Sequence, residues 1–173
     1  MLFRSPEIAK LAGHLYVFQR TPSTIDIRDQ RATKSEEIQE WAKEPGWARA
    51  RRERFARISS GRTAIQANDD YLSGKVKEFR QRKTRERELS PQERMEALLN
   101  SNFRIMEQIR ARVDAIVKDP KTAAALKPYY PYGCKRPTFH DEFLPSFNLP
   151  HVHLVDTAPG GVALINQIGR AHV

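Results

Sequence analysis

The chain has 173 residues, a formal net charge of +9, 39% hydrophobic residues and 29% charged residues. That length suffices for one domain, but the composition leaves limited apolar material for a core. Its single cysteine, Cys134, excludes an internal disulfide, and no apolar run approaches the roughly 18 residues that cross a membrane. With no signal peptide recognisable, we expect a cytoplasmic chain without a membrane segment, of unknown oligomeric state.

The first predicted element is a helix, residues 5–12, with Ser5 as N-cap, Pro6 at the first helical position and Gly13 at its end. It is followed by a short apolar run, Leu15 to Phe18, that favours a β-strand. A helix followed by such a strand is typical of the second half of a β-α-β unit.

Arg20 and Thr21 fall at the carboxyl end of this strand, before Pro22. Ligands bind at that edge of open α/β sheets, and an arginine there commonly accommodates the 2′-phosphate that distinguishes NADP from NAD. The guanidinium group also offers a planar, bidentate fork to phosphate. The alternative is a strand that simply ends in a solvated arginine.

The middle of the chain reads as helices joined by turns. Ser90, Pro91 and Glu93 form a capping box at the start of the clearest of them, which Asp119-Pro120 terminates. Apolar residues recur along it at helical spacing, which favours a packing face over a partner-binding helix. The predicted segments are Ser35 to Lys43, Trp47 to Ile58, Asp69 to Arg87, the helix from Ser90 to Ile116, and Lys121 to Leu126.

Pro131 and Gly133, with Pro128 just before them, prevent residues 129–133 from forming a helix, so this stretch is predicted to be an aromatic loop. Two adjacent cations, Lys135 and Arg136, follow this loop. A helix is predicted for Phe139 to Phe147, and a strand for Val152 to Asp156 that returns to a nucleotide-binding sheet.

The sequence also contains residues that could suggest a metal site or a nucleic-acid-binding surface. His140, His151 and His153 could suggest a metal site, but they lack a compact ligand motif, so we predict none. Basic runs at residues 49–57 and 75–87 could suggest nucleic-acid binding. Glutamates interleave with both runs, which is typical of solvated helix faces, so we predict no nucleic-acid partner.

Three segments together resemble flavin-dependent Baeyer–Villiger monooxygenases: residues 14–23 (HLYVFQRTPS), 130–137 (YPYGCKRP) and 152–157 (VHLVDT). Their order and separation match the family, and the resemblance covers residues 2–166. In that family the first segment follows the GxGxxG loop of the NADP domain, and a mostly helical insertion leads to the Gly-x-Lys-Arg segment.

The resemblance implies cofactors, substrates and site residues. Arg20 and Thr21 would contact the 2′-phosphate of NADP, with Gln19 nearby and Lys135 as a second phosphate contact. Arg136 resembles the active-site arginine that faces the FAD and stabilises the anionic peroxyflavin. The implied reaction inserts one oxygen atom of O2 beside the carbonyl of a ketone or similar substrate.

The chain also departs from the family, since it contains neither a GxGxxG loop nor the Phe-x-Gly-x-x-x-His-x-x-x-Trp signature. We therefore expect an α/β fragment, mostly helical, that is inactive alone. Its expected parts are a partial Rossmann-like NADP domain (1–33), a helical insertion (34–127) and a return segment (128–167). Residues 168–173 (IGRAHV) are what ATCGGAAGAGCACACGTC, part of a common sequencing adapter, encodes, and we exclude them from the fold.

Two alternative functions stay open at this point. An N- or S-oxidising flavin monooxygenase would use the same cofactors, although the Gly-x-Lys-Arg segment favours the Baeyer–Villiger branch. A non-enzymatic, basic helical binding module is the other alternative.

Overall fold

The computed structural model describes residues 4–29, 31–59, 62–63, 89–158 and 160–162. This part of the chain is mixed α/β and mostly helical. The helices are α1 (Ser5–Ala9), α2 (Ser35–Ala42), α3 (Trp47–Ser59), α4 (Pro91–Ile116), α5 (Pro120–Leu126) and α6 (Phe143–Ser146). The strands are β1 (Leu15–Gln19), β2 (Ile25–Asp26), β3 (Thr138–Phe139) and β4 (Val152–Asp156).

The chain divides into two compact units. The first comprises residues 1–26 and 102–173, and the second comprises residues 27–101. The predicted segment from Asp69 to Arg87 and the adapter-like tail at 168–173 lie outside the described residues. None of the described helices is both long and apolar enough to cross a membrane.

The first unit is organised by a parallel pair of strands, β1 and β4. Leu15 aligns with Val152, and Gln19 aligns with Asp156 at the other end. The Leu15 N–H donates to the carbonyl of His151 (2.8 Å). Both predicted strands are therefore confirmed, and the prediction that the second returns to a sheet is confirmed by this pairing.

A second parallel pair, β2 and β3, was not predicted. The predicted helix from Phe139 to Phe147 was wrong at its start, because this backbone pairs with β2 instead. The Thr138 N–H donates to the carbonyl of Thr24 (3.0 Å), and the His140 N–H donates to that of Asp26 (2.9 Å). Only α6 remains of that helix.

The core of the first unit lies beneath the β1–β4 pair. Leu15 and Val17 pack against it, whereas the alternate residues Tyr16 and Phe18 are exposed, as the two-residue period of a strand requires. Its buried residues are Ala9, Ile25, Val113, Val117, Ala123, Leu126, Phe143, Leu144, Phe147 and Val152.

The long helix α4 begins as predicted. The Ser90 N–H donates to the Glu93 carboxylate (3.0 Å), and the Glu93 N–H donates to the Ser90 hydroxyl (3.4 Å), which confirms the capping box. The predicted packing face is confirmed only in the later part of the helix. Met106, Ile109 and Val113 are buried, whereas Met95, Leu99 and Phe103 are exposed.

Helices α1 and α5 differ in how well the sequence predicted them. The N-cap of α1 is Arg4 rather than Ser5, and α1 ends at Ala9, beyond which turns continue to Ala12. Helix α5 (Pro120–Leu126) begins one residue before the predicted segment, Lys121 to Leu126, and ends where that segment ends. The Asp119 side chain, which was not predicted to cap it, accepts a hydrogen bond from the Thr122 N–H (2.8 Å) at its start.

Candidate cofactor-binding site

The carboxyl end of β1 is fixed by Gln19. Its side-chain amide donates to the carbonyl of Ala125 in α5 (2.8 Å). Its own carbonyl accepts from both the N–H (2.8 Å) and the hydroxyl (3.1 Å) of Thr157, the residue after β4. Arg20 follows immediately and is exposed, and Thr21 is half-buried. Arg20 and Thr21, the first two predicted phosphate contacts, therefore follow a strand end that hydrogen bonds fix to Ala125 and Thr157.

Helix α4 holds the aromatic loop at two points. The Arg110 side chain donates to the carbonyl of Pro128 (2.9 Å). The Asn102 amide bonds both backbone groups of Tyr132, donating to its carbonyl (2.9 Å) and accepting from its N–H (2.8 Å). The loop backbone is therefore fixed before it reaches the predicted site residues.

A tight turn then redirects the chain. The Cys134 N–H donates to the carbonyl of Pro131 (3.1 Å), and Gly133 has a φ of 92°. That conformation strains residues that carry a side chain, which explains the glycine. The turn leads directly to Lys135 and Arg136, both of which are exposed.

Tyr130 joins the loop to the end of β1. Its hydroxyl donates to the carbonyl of Pro22 (2.8 Å), two residues after Arg20. The ammonium group of Lys135 lies 5.0 Å from the centroid of the same ring. The phenol is protonated at neutral pH and can donate this bond, and partial burial raises its pKa further. One side chain therefore contacts both segments predicted to bind phosphate.

Arg136 lies just before the β2–β3 pair, which fixes the backbone that follows it. Thr138 bonds the carbonyl of Thr24 through its hydroxyl (2.7 Å) as well as its N–H. From α4, the guanidinium of Arg112 donates to the carbonyl of Ile25 (3.1 Å), and burial lowers its pKa. Arg112 thereby stabilises the β2–β3 pair that follows Arg136 in the chain.

Sequence reasoning missed the supporting roles of Tyr130, Asn102 and Arg112. Asn102 and its partner Tyr132 are 30 residues apart in sequence, and Arg112 and Ile25 are 87 residues apart. No local pattern signals such contacts, since each depends on where the chain returns after folding.

The histidines considered as metal ligands have separate surroundings. The His151 ring contacts the carbonyl of Ala9 (2.8 Å), and a His140 ring nitrogen accepts from the Glu142 N–H (3.1 Å). His153 Nε2 lies 3.3 Å from Nδ1 of His14. Within the described ranges, no group of three or more His, Cys, Asp or Glu side chains could hold a metal ion.

The comparisons with known proteins agree with the resemblance. Baeyer–Villiger monooxygenase ATR8 of Stachybotrys chlorohalonatus is 44% identical over 171 residues, which are 95% of this chain but 26% of that protein. This chain is homologous to Baeyer–Villiger monooxygenases. It spans about a quarter of the length of the curated relatives it matches. No protein-family model matches the sequence.

Solved Baeyer–Villiger monooxygenase structures show the same partial correspondence. The polycyclic ketone monooxygenase of Thermothelomyces thermophila aligns with a TM-score of 0.66 and 38% identity, covering 90% of this chain and 26% of that one. OTEMO, in a crystal structure with FAD and NADP, aligns with a TM-score of 0.56 and 24% identity, covering 90% of this chain and 30% of its own. The OTEMO likeness concerns the fold alone.

OTEMO was crystallised with FAD and NADP, and hmp7 of Hypomyces subiculosus is named an FAD-binding monooxygenase. Arg20 is an exposed cation just after the carboxyl end of the parallel strand β1, where phosphate groups commonly bind. Lys135 is an exposed cation on the loop that Tyr130 joins to Pro22, so both residues have the charge and exposure that the phosphate part of NADP requires. Towards FAD, the predicted contribution is the single guanidinium of Arg136.

Proposed function

We propose that this chain supplies the NADP 2′-phosphate site and the active-site arginine of an FAD- and NADPH-dependent Baeyer–Villiger monooxygenase. Residues 1–33 would then be part of a Rossmann-like NADP domain, residues 34–127 a helical insertion, and residues 128–167 a return segment to the nucleotide-binding domains. The observation that supports this most is Tyr130, whose ring contacts Lys135 and whose hydroxyl bonds the carbonyl of Pro22.

In this proposal, the 2′-phosphate binds Arg20 and Lys135, with the Thr21 hydroxyl as a further hydrogen-bond donor. Two cations suit a group that carries close to two negative charges at neutral pH. Gln19 contributes from beside them by fixing the end of β1 through Ala125. NADH lacks this phosphate, so the pair would select for NADPH.

Arg136 has a different role in the proposal. The bound flavin supplies the oxygen chemistry, in which one atom of O2 is inserted beside the carbonyl of a ketone. The Arg136 guanidinium keeps its proton at any working pH and so provides a permanent positive charge where negative charge develops. The β2–β3 pair and Arg112 support the backbone that carries it.

The phosphate assignment is tested by Arg20→Ala in the full-length enzyme that carries this segment. The kcat/KM for NADPH should fall by about 10- to 100-fold, because a charge-assisted hydrogen bond contributes about 1.5–3 kcal/mol. The kcat/KM for NADH should be nearly unchanged. The control is Arg104→Ala, which removes an exposed arginine of α4. Equal losses for both nucleotides would contradict the assignment.

The role of Arg136 is tested by Arg136→Ala in the same enzyme. Stopped-flow absorbance should still show reduction of the flavin by NADPH, since the hydride transfer does not need this charge. Product formation from the ketone should be lost, with NADPH consumed without oxygenation. Retained product formation would remove Arg136 from the chemistry.

A further inference from the structure

We infer that Tyr130 is a positioning residue for nucleotide selectivity: the face of its ring holds the Lys135 ammonium group where it meets the 2′-phosphate. This inference rests on the proposed function, because it concerns the same phosphate site. Tyr130 would influence phosphate binding through Lys135, without contacting the phosphate itself.

The geometry gives Tyr130 two separable contacts. The Lys135 Nζ lies 5.0 Å from the ring centroid, within the range in which the negative face of an aromatic ring attracts a cation. The hydroxyl is used elsewhere, since it donates to the carbonyl of Pro22 (2.8 Å) on the segment that carries Arg20. The ring therefore acts on Lys135, and the hydroxyl anchors the ring to the strand end.

The loop backbone does not depend on the ring face. Asn102 bonds both backbone groups of Tyr132, and Arg110 bonds the carbonyl of Pro128. Removing the attraction of the ring for a cation should thus leave the loop in place and release only the Lys135 side chain. A lysine side chain loses considerable rotamer freedom when it is held, so a preplaced ammonium group binds phosphate at a lower entropic cost.

The decisive comparison uses two replacements of nearly equal shape in the full-length enzyme that carries this segment. Tyr130→Phe removes the hydroxyl and keeps the electron-rich ring face. Pentafluorophenylalanine at position 130 also lacks the hydroxyl, but its ring face no longer attracts cations. The measured quantity is the ratio of kcat/KM for NADPH to kcat/KM for NADH.

The pentafluoro variant should have a ratio about two- to fivefold lower than Tyr130→Phe, which corresponds to the usual strength of an exposed cation–π contact. In a Lys135→Met background the two variants should have equal ratios, because the ring then has no cation to hold. The kcat/KM for NADH should be the same in both variants.

Equal ratios for the two variants with Lys135 intact would overturn the inference. A difference that persists with Lys135→Met would also overturn it, since the ring would then act by another route. Arg20→Ala separates this failure from that of the proposed function. If Arg20→Ala lowers the ratio while the ring variants do not differ, the phosphate site stands and only the role of Tyr130 is lost.

Discussion

In the first unit, contacts between residues far apart in sequence surround the predicted site, whereas in the second unit the ion pairs that the structure describes are local. In the first unit, β1 pairs with β4, Gln19 bonds Ala125, and Tyr130 bonds Pro22. In the described part of the second unit, ion pairs join close neighbours, such as Arg31 with Glu37 and Arg49 with Glu53. Every proposed site residue lies in the first unit. Long-range contacts therefore position the backbone of the proposed site residues, whereas the local pairs lie on or beside helices α2 and α3.

The largest effect is expected from the helix that contributes to both units. Ile109 of α4, which belongs to the first unit, is buried, so Ile109→Ala should reduce the free energy of unfolding by about 2–5 kcal/mol. Leu99, on the same helix in the second unit, is exposed, and Leu99→Ala should cost less than about 0.5 kcal/mol. Urea denaturation measures both. Equal losses would contradict the difference in burial between the two positions.

A smaller effect is expected where α4 holds the aromatic loop. Asn102→Ala removes both hydrogen bonds to Tyr132 and should reduce the free energy of unfolding by about 1–3 kcal/mol. Amide hydrogen exchange at Tyr132 should accelerate as well. Asn100→Ala is the matched control, since Asn100 is an exposed residue of the same helix. Unchanged exchange at Tyr132 in Asn102→Ala would show that the loop is held by other contacts.

The smallest effect is expected for a local pair of the second unit. Arg31 donates two hydrogen bonds to the Glu37 carboxylate (2.6 and 2.7 Å), which lowers the pKa of Glu37 from 4.5 to about 2. The stabilisation is therefore complete above about pH 4.5 and is lost as the pH falls towards 2.

Arg31→Ala should raise the pKa of Glu37, as measured by an NMR titration of its side chain. The pKa should remain below 4.5, because the Lys34 N–H still donates to the carboxylate (2.9 Å). Arg52→Ala, which removes an exposed arginine of α3, should leave the pKa at about 2. No change in Arg31→Ala would show that this local pair is absent in solution.

The difference between local and long-range contacts also explains which features could be predicted from the sequence. The capping box at Ser90 was predicted because it involves residues three positions apart, Ser90 and Glu93. The two-residue strands β2 and β3 were missed, since each exists only through its pairing with the other. Neither carries enough residues to show a period.

In the candidate site, too, some residues could be predicted from local sequence and others depend on contacts between distant segments. Arg20 and Lys135 could be proposed from their positions beside a strand end and a turn, and from the resemblance of those segments to a family. That Tyr130 connects the two segments could not be predicted, because its partner Pro22 is 108 residues away in sequence. Arg112 was missed for the same reason.

The central claim is that the segments around Arg20 and Lys135 form one phosphate site. The most direct measurement is an NMR titration of the 173-residue chain with adenosine 2′,5′-bisphosphate, and separately with adenosine 5′-monophosphate, which lacks only the 2′-phosphate. We predict that the backbone amides of Arg20, Thr21 and Lys135 shift with the bisphosphate on a single binding curve, and shift less with the monophosphate. Shifts confined to one segment, or equal for the two nucleotides, would contradict the account.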